Sequence, residues 1–343
     1  MKIDFVLPWV DPNDKEWQDK RNQFSGDYNK MANSDARFRD FDTLRFVFRS
    51  IEKNCPWFNK IYLITEGHKP EWLDDNNPKV KVVTHKELYF NSEHLPVFNS
   101  SSIEMNLPNI KELSENFVYL NDDMIFYNPI KKDRFFKDGK PVDFISTSLV
   151  KRGRLFQFLK GKKIWIDSLN NNLNLINSSK DIKQLENEFL SDSSYSLTDK
   201  INNFISKNIL GKVFWIGHWH HPQPYLKSTL IEVHEKFSTQ MASSSSNRFR
   251  KSDDYTHYLF RYWHLMSGAF YPKKCNDDYI KNICGVEDAK QAVKDLTGNR
   301  KVNFFCLNDD ENMDSQDEFT VLNIINSFLE KNFPEKSSFE MDN

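Results

Sequence analysis

Two apolar runs, about 190 residues apart, stop at the same three polar residues: Phe117 to Asp123 reads FVYLNDD and Phe304 to Asp310 reads FFCLNDD. Runs this short, rich in aromatic and β-branched residues, suit buried strands. A strand ending in Asn-Asp-Asp carries two carboxylates and an amide to its carboxyl end, where open α/β sheets bind ligands. Hard oxygen donors placed there suit Mg²⁺ or Mn²⁺ on a nucleotide pyrophosphate. Taken singly, either copy reads equally well as a polar turn after a strand. The pair favours the ligand site, although it is not a repeat of fixed period.

The stretch before the first copy has the rhythm of a βαβ unit. Ile3 to Val10 reads as a strand, closed by a turn at Asp11-Pro12-Asn13-Asp14. Asp42 is placed to cap a helix running from Thr43 to Lys53, whose Leu44, Val47, Phe48 and Ile51 share one face, and Pro56 ends it. Strands follow at 60–65 and 79–84, and a helix interrupted near Pro108 precedes the Phe117 strand. The expected fold class is therefore α/β: a Rossmann-like mixed sheet flanked by helices, with a helical insertion. The first 130 residues read as a Rossmann-like half, 131–212 as a variable, largely helical insertion, 213–325 as a second part of the same domain and 326–343 as an acidic tail.

Composition narrows the class. With 343 residues, 38% hydrophobic, 28% charged and 29 Phe, the chain has the size and core material of a large α/β domain. A net charge of −2 argues against a nucleic-acid partner. No apolar run approaches the length of a membrane span, and the first residues turn acidic too early for a signal peptide. Cys55, Cys275, Cys284 and Cys306 form no CxxC pair and read as reduced thiols, which points to a cytoplasmic protein.

Charge is uneven along the chain. Residues 131–163 hold eleven Lys or Arg against three acids, around Leu155 to Leu159. That pattern fits either a solvated helical surface or a patch for an anionic polymer or lipid headgroups. After Asn308 there are ten acids against two Lys, and the end of this tail is expected to be disordered. Ser243 to Ser246 reads as a flexible loop before a basic cluster.

Three segments carry candidate chemistry. Gly217 to Tyr225 holds His218, His220 and His221, but Pro222 and Pro224 keep it extended, so neighbouring His point apart and a zinc cluster is disfavoured. One His as general base suits the pattern, beside the alternative of a structural loop. Asn247 to Asp254 sets Arg248, Arg250 and Lys251 before acids, which fits either a phosphate clamp or a surface charge cluster. Phe98 to Glu104 offers Ser hydroxyls and a carboxylate at a helix start, or simply a capping box between Ser101 and Glu104. The commonest mononucleotide, dinucleotide, serine-hydrolase and zinc-protease motifs are absent from the sequence.

Together these segments resemble the Stealth family of sugar-phosphate transferases, which includes bacterial capsular polysaccharide phosphotransferases and the animal enzyme that adds GlcNAc-1-phosphate to lysosomal hydrolases. Residues 3–14 resemble its first region. Arg37 to Asp123 resemble the second, through Arg49-Ser50-Ile51-Glu52, Pro56-Trp57, Pro70 to Leu73 and Thr84-His85. His220 to Asp254 resemble the third and Cys306 to Asp309 the fourth. Phe41, His68 and Ser102 depart from the family's usual residues, which bears on the donor sugar more than on the reaction.

The resemblance implies a GT-A-like fold and transfer of a hexose-1-phosphate, such as GlcNAc-1-phosphate, from a UDP-sugar to a hydroxyl of a capsular or cell-surface glycan, with release of UMP. By motif position it implies Asp4, Asp11, Ser100, Glu104, Asp123, His220, Arg250 and Asp309 as active-site residues, with Trp9 and Arg37 also on the substrate side. Asp123 and Asp309, with Glu104, are the expected ligands of Mg²⁺ or Mn²⁺. Arg250 is expected to clamp a phosphate and His220 to act as general base, while Asp4, Trp9 and Asp11 lie beside the nucleotide. Peripheral contact with the inner face of the plasma membrane also follows from the resemblance. Two other readings compete: a metal-dependent GT-A-type glycosyltransferase that releases UDP, and a non-catalytic glycan-binding protein that stacks sugars on Trp and Tyr.

Overall fold

The computed structural model describes residues 1–25, 43–161, 163–309, 313 and 315–341. Its strands are β1 (Ile3–Pro8), β2 (Ile61–Thr65), β3 (Val80–Thr84), β4 (Asn116–Tyr119), β5 (Met124–Phe126), β6 (Phe136–Lys137), β7 (Lys140–Asp143), β8 (Gln223–Leu226), β9 (Tyr271–Pro272), β10 (Asp278–Ile283) and β11 (Phe304–Asp309). The main sheet has the order β3-β2-β1-β4-β8. Its first four strands run parallel, and β8 runs antiparallel to β4. Two small sheets, β10-β11-β5 and β6-β7-β9, complete a mixed α/β fold flanked by helices.

Alternation along the strands sorts the core into two layers. Phe5 and Leu7, Ile61 and Leu63, and Val118 face one apolar cluster with the Leu44–Asn54 helix. Val6, Tyr62 and Ile64, Phe117 and Tyr119 face the other, with the helices Ile164–Ser179 and Tyr258–Met266. Burial on both faces is why these strands read as continuous apolar runs. The helix expected at 43–53 forms at Leu44–Asn54. Asp42 lies outside the described residues; Thr43 is the N-cap, and its hydroxyl donates to the Asp122 carbonyl at 2.9 Å.

Four expectations are corrected. The acidic tail is a core element: the helix Ser315–Asn332 buries Val321, Ile325, Phe328 and Leu329, and Phe333 and Phe339 are buried beyond it. Arg49 explains how an acidic segment docks, since its Nε and Nη2 donate to the two Glu340 carboxylate oxygens at 2.7 and 2.8 Å. Such a bidentate pair fixes geometry as well as charge. The run Ser243 to Ser246 is no loop; the helix Ser238–Ser245 ends in it, and the Ser245 hydroxyl meets His94 Nδ1 and Asn106 Nδ2, each at 2.8 Å. The basic stretch 131–163 is mostly not helical: it holds β6 and β7, and its one α-helix of length is Arg154–Lys160. The capping box at Ser101 does not form, because Asn99 caps the helix Ser100–Met105 and Glu104 turns inward.

Candidate active site

The carboxyl edge of the main sheet is where the Asn121-Asp122-Asp123 end and the His segment meet. β4 delivers Asn121, Asp122 and Asp123 directly, and the chain then turns into β5. β5 pairs antiparallel with β11 in a register that sets Met124 opposite Cys306. β8 begins at Gln223, opposite Tyr119 at the end of β4, so the residues just before it arrive at the same edge. Three separate stretches thus contribute Asp123, Cys306 and His220, whose donor atoms all lie within 4.8 Å of one another.

This trio is under-satisfied. The Cys306 thiol sits 3.0 Å from both Asp123 Oδ2 and the Asn308 side-chain oxygen. His220 Nε2 is 3.9 Å from Asp123 Oδ2, beyond hydrogen-bond reach, with Asn121 Nδ2 closer at 3.4 Å. Asp123 Oδ1 is shielded from solvent and has no hydrogen-bond partner. Burial pushes the Asp123 carboxyl up, but His220 and Cys306 outweigh it and hold it below the usual carboxylate range. For His220, burial works against the charged ring, yet the Asp123 carboxylate prevails and raises its basicity. Burial, and then Asp123, raise the Cys306 thiol well above its ordinary value, so it is a donor rather than a thiolate.

The donor set bears on a metal. One carboxylate with an unpartnered oxygen, beside an amide oxygen, fits a hard divalent cation that completes its shell with water and substrate phosphate. His218 and His221 do not join the trio: His218 packs among Trp165, Trp215 and Tyr258, and His221 lies against Trp219. Arg37 and the side chain of Asp309 lie outside the described residues; the Asp309 backbone is the last residue of β11.

A second set of groups lies beside the trio. The segment 247–250 is pinned along residues 98–100 by Phe98 N to Arg248 O at 2.8 Å, by the Asn99 side chain to Asn247 O at 3.1 Å, and by stacked Phe98 and Phe249 rings. That pairing brings Arg250 Nη2 to 2.8 Å from the Ser100 hydroxyl. The acids after the cluster do not neutralise Arg248, which donates instead to the Glu93 and Leu95 carbonyls. Asp254 takes Asn99 Nδ2 and the Lys251 amide, each at 3.0 Å.

Glu104 joins the two sets. It accepts from Tyr119 Oη at 3.2 Å and from the His257 amide at 2.8 Å. Burial pushes its carboxyl up to about 7, against the pull of that amide, Arg250 and Tyr119. The His257 ring is kept neutral by burial and by the nearby charge of His220. Glu104 is therefore committed to protein donors and stands outside the Asp123 trio, contrary to its expected place among the metal ligands.

The first strand divides the remaining candidates. Trp9 and Asp11 follow β1 at the carboxyl edge, where the Asp11 amide donates to His68 Nε2 at 3.0 Å and the His68 ring packs edge-on to Trp9. His68, unusual for its position, thus stitches this loop. Asp4 is at the other end of β1, opposite Phe117 at the start of β4. Its oxygens take Asn59 Nδ2 at 2.6 Å and the Ser114 amide at 2.7 Å, a structural clamp on two loops away from the site. The sequence marks Cys306 only as a reduced thiol and a motif residue, and it does not single out His257. Cys306 stood inside the second Asn-Asp-Asp run, which was its only local sign.

Behind the site lies a saturated cluster. Asp143 ends β7, and Arg261 Nε and Nη2 donate to it at 2.9 and 2.8 Å. His264 and Gln223 contact the same carboxylate at 2.9 and 3.0 Å. Arg261 Nη1 also holds the Gly217 carbonyl at 2.7 Å, which anchors the segment that carries His220.

Four family models, each described as a Stealth protein conserved region, match this chain: region 1 at residues 1–29, region 2 at 37–143, region 3 at 219–267 and region 4 at 294–343. A capsular polysaccharide phosphotransferase, WcwK of Streptococcus pneumoniae, is 37% identical over 346 residues, covering 99% of this chain and 98% of its own. A receptor polysaccharide phosphotransferase, WefC of Streptococcus gordonii, is 34% identical and covers 99% of each chain. Among solved structures, the galactosyltransferase LgtC, in complex with donor and acceptor sugar analogs, aligns with 96% of this chain and 95% of its own at 9% identity and a TM-score of 0.39.

Proposed function

The chain belongs to the Stealth family of sugar-phosphate transferases, and on that premise we propose that it moves a hexose-1-phosphate, such as GlcNAc-1-phosphate, from a UDP-sugar to a hydroxyl of a capsular or cell-surface polysaccharide. The observation that carries this reading is the convergence of Asp123 and its unpartnered Oδ1 with His220 at the end of β4. His220, made more basic by Asp123, takes the proton of the acceptor hydroxyl. The acceptor oxygen then bonds to the β-phosphorus, and the bond from that phosphorus to the bridging oxygen breaks, so UMP leaves. The anomeric C–O bond is untouched, and its configuration is retained. Arg250, steadied by Ser100, holds phosphoryl oxygens on which charge builds. Asp123, with Asp309 as the proposed second carboxylate, would hold Mg²⁺ or Mn²⁺, which supplies charge neutralisation on the pyrophosphate when bound. Trp9 and Asp11 line the nucleotide side, and Arg37 is proposed to join them.

The setting proposed is cytoplasmic, with peripheral contact at the inner face of the plasma membrane. Among the described residues no helix is long and apolar enough to cross a membrane. The test is ³¹P NMR with nucleotide analysis of a reaction holding UDP-GlcNAc, Mg²⁺ and capsular oligosaccharides. UMP together with a new phosphodiester resonance is the expected result. UDP without that resonance would overturn the reading in favour of glycosyl transfer.

A further inference from the structure

The helix Arg154–Lys160 is amphipathic the wrong way round for a soluble protein. Its inward side carries one half-buried apolar residue, Phe156, packed on the core, and a buried polar one: Gln157 Nε2 donates to Asp167 at 2.7 Å, and its Oε1 accepts the Lys163 amide at 3.4 Å. Asn170 also holds the Arg152 carbonyl at 2.8 Å. Its outward face is apolar. Leu155, Phe158 and Leu159, at i, i+3 and i+4, are 73%, 85% and 70% exposed. Val150 and Trp165, on either side, are exposed as well. A polar anchor beneath three large exposed apolar side chains means the fold presents them outward and cannot simply turn them into the core. Exposed apolar patches of this kind mark contact surfaces.

Charge selects what covers it. From residue 144 to 166 the chain has no acid, while Lys151, Arg152, Arg154, Lys160, Lys162 and Lys163 surround the apolar face in sequence. Apolar residues ringed by Lys and Arg are complementary to the interface of an anionic bilayer, where the side chains enter the acyl boundary and the cations meet headgroup phosphates. We infer that the Arg154–Lys160 helix is a docking face for an anionic lipid surface, inserting Leu155, Phe158 and Leu159. The inference deepens the peripheral contact proposed above and rests on that contact, not on the transfer chemistry. It also orients the enzyme. The Arg152 guanidinium lies 4.1 Å over the Trp215 ring, and Trp165 packs on Trp215 and His218, so the face is tied to the segment that carries His220.

The test is flotation of the full chain with vesicles of equal parts phosphatidylglycerol and phosphatidylcholine, and with phosphatidylcholine alone. Binding is expected on the anionic vesicles only, and it weakens with salt. The double variant Phe158→Glu/Leu159→Glu loses binding by more than about tenfold. Lys160→Glu and Lys163→Glu each lower it by at least about fivefold. Phe90→Glu, at an apolar residue 95% exposed elsewhere, leaves it unchanged. Equal binding to both vesicles, retention in the double variant, or an equal loss in Phe90→Glu overturns the inference. So does a double variant that shifts the lipid-free protein from dimer to monomer without altering vesicle binding, which would assign the face to a second copy. Transfer to a soluble acceptor by the double variant is expected at the unmodified rate, so failure to dock and failure of the transfer reading are seen separately.

Discussion

Asp143 closes a strand and Asp123 follows one, and each faces a histidine, yet they are opposites. Asp143 has a guanidinium, an imidazole, an amide side chain and a backbone N–H on its two oxygens. Asp123 has a thiol on one oxygen, an imidazole just out of reach, and nothing on the other. A buried charge is stable where its donors are complete, and an incomplete set persists where something else supplies the rest. Asp143 is therefore architecture, and Asp123 is the position proposed above to hold a ligand.

The sharpest test of that contrast is the same substitution at both positions. Asp143→Asn strips Arg261 of its counter-charge, and a loss of about 3–5 kcal/mol in urea unfolding is expected. Asp123→Asn should leave the unfolding free energy within about 1 kcal/mol, since a carboxylate with an orphaned oxygen contributes little to the fold. Its effect falls on catalysis instead, a drop in kcat of about 10²–10³-fold with altered metal dependence. Destabilisation by Asp123→Asn as large as that by Asp143→Asn would break the comparison.

Glu104 sharpens it at an intermediate level, because it is buried with donors but no cation in contact. Its folded pKa, about 7, lies above the ordinary value, so the protonated form is favoured by folding. The stabilisation is complete below about pH 4.3, where the unfolded chain also holds the proton, and is lost as pH rises through about 7. Its size is on the order of 3 kcal/mol. Unfolding free energies measured across that window should fall with pH in the native protein, and Glu104→Gln should flatten the slope. An unchanged slope would place the titration elsewhere. The smallest effect is expected at Cys306. Cys306→Ser keeps a donor toward Asp123, and activity should stay within about fivefold of the parent. A loss matching Asp123→Asn would put the sulfur itself into the chemistry.

Much of this fold was legible locally. The strands at residues 3, 61, 80 and 116 and the helix at 44 follow from short apolar runs, helical spacing and the Pro and Asp that end them. The Asn121-Asp122-Asp123 end, and the divergence of the three His, could be read from residues within one turn of each other. The misreadings share a different cause. Composition made the tail look solvated, but Arg49, some 290 residues away in sequence, accepts Glu340 into the core. Serine repetition suggested a loop, but His94 and Asn106 supply partners that make a buried serine helix stable. Asp4 stands out by its motif position, and in the fold it lies at the start of β1, opposite Phe117, held by Asn59 and the Ser114 amide.

What the chain determined by itself was therefore where its strands and helices lie and which of them end in carboxylates, because periodicity and turn chemistry act over a few residues. Tertiary structure alone decided that β5 meets β11 in the register that carries Cys306 to Asp123, that β8 enters beside β4 to deliver His220, and that Glu104 turns inward to Tyr119 and His257. Those outcomes depend on pairing between distant segments, and no local pattern encodes how completely a buried carboxylate will be satisfied once the chain has closed around it.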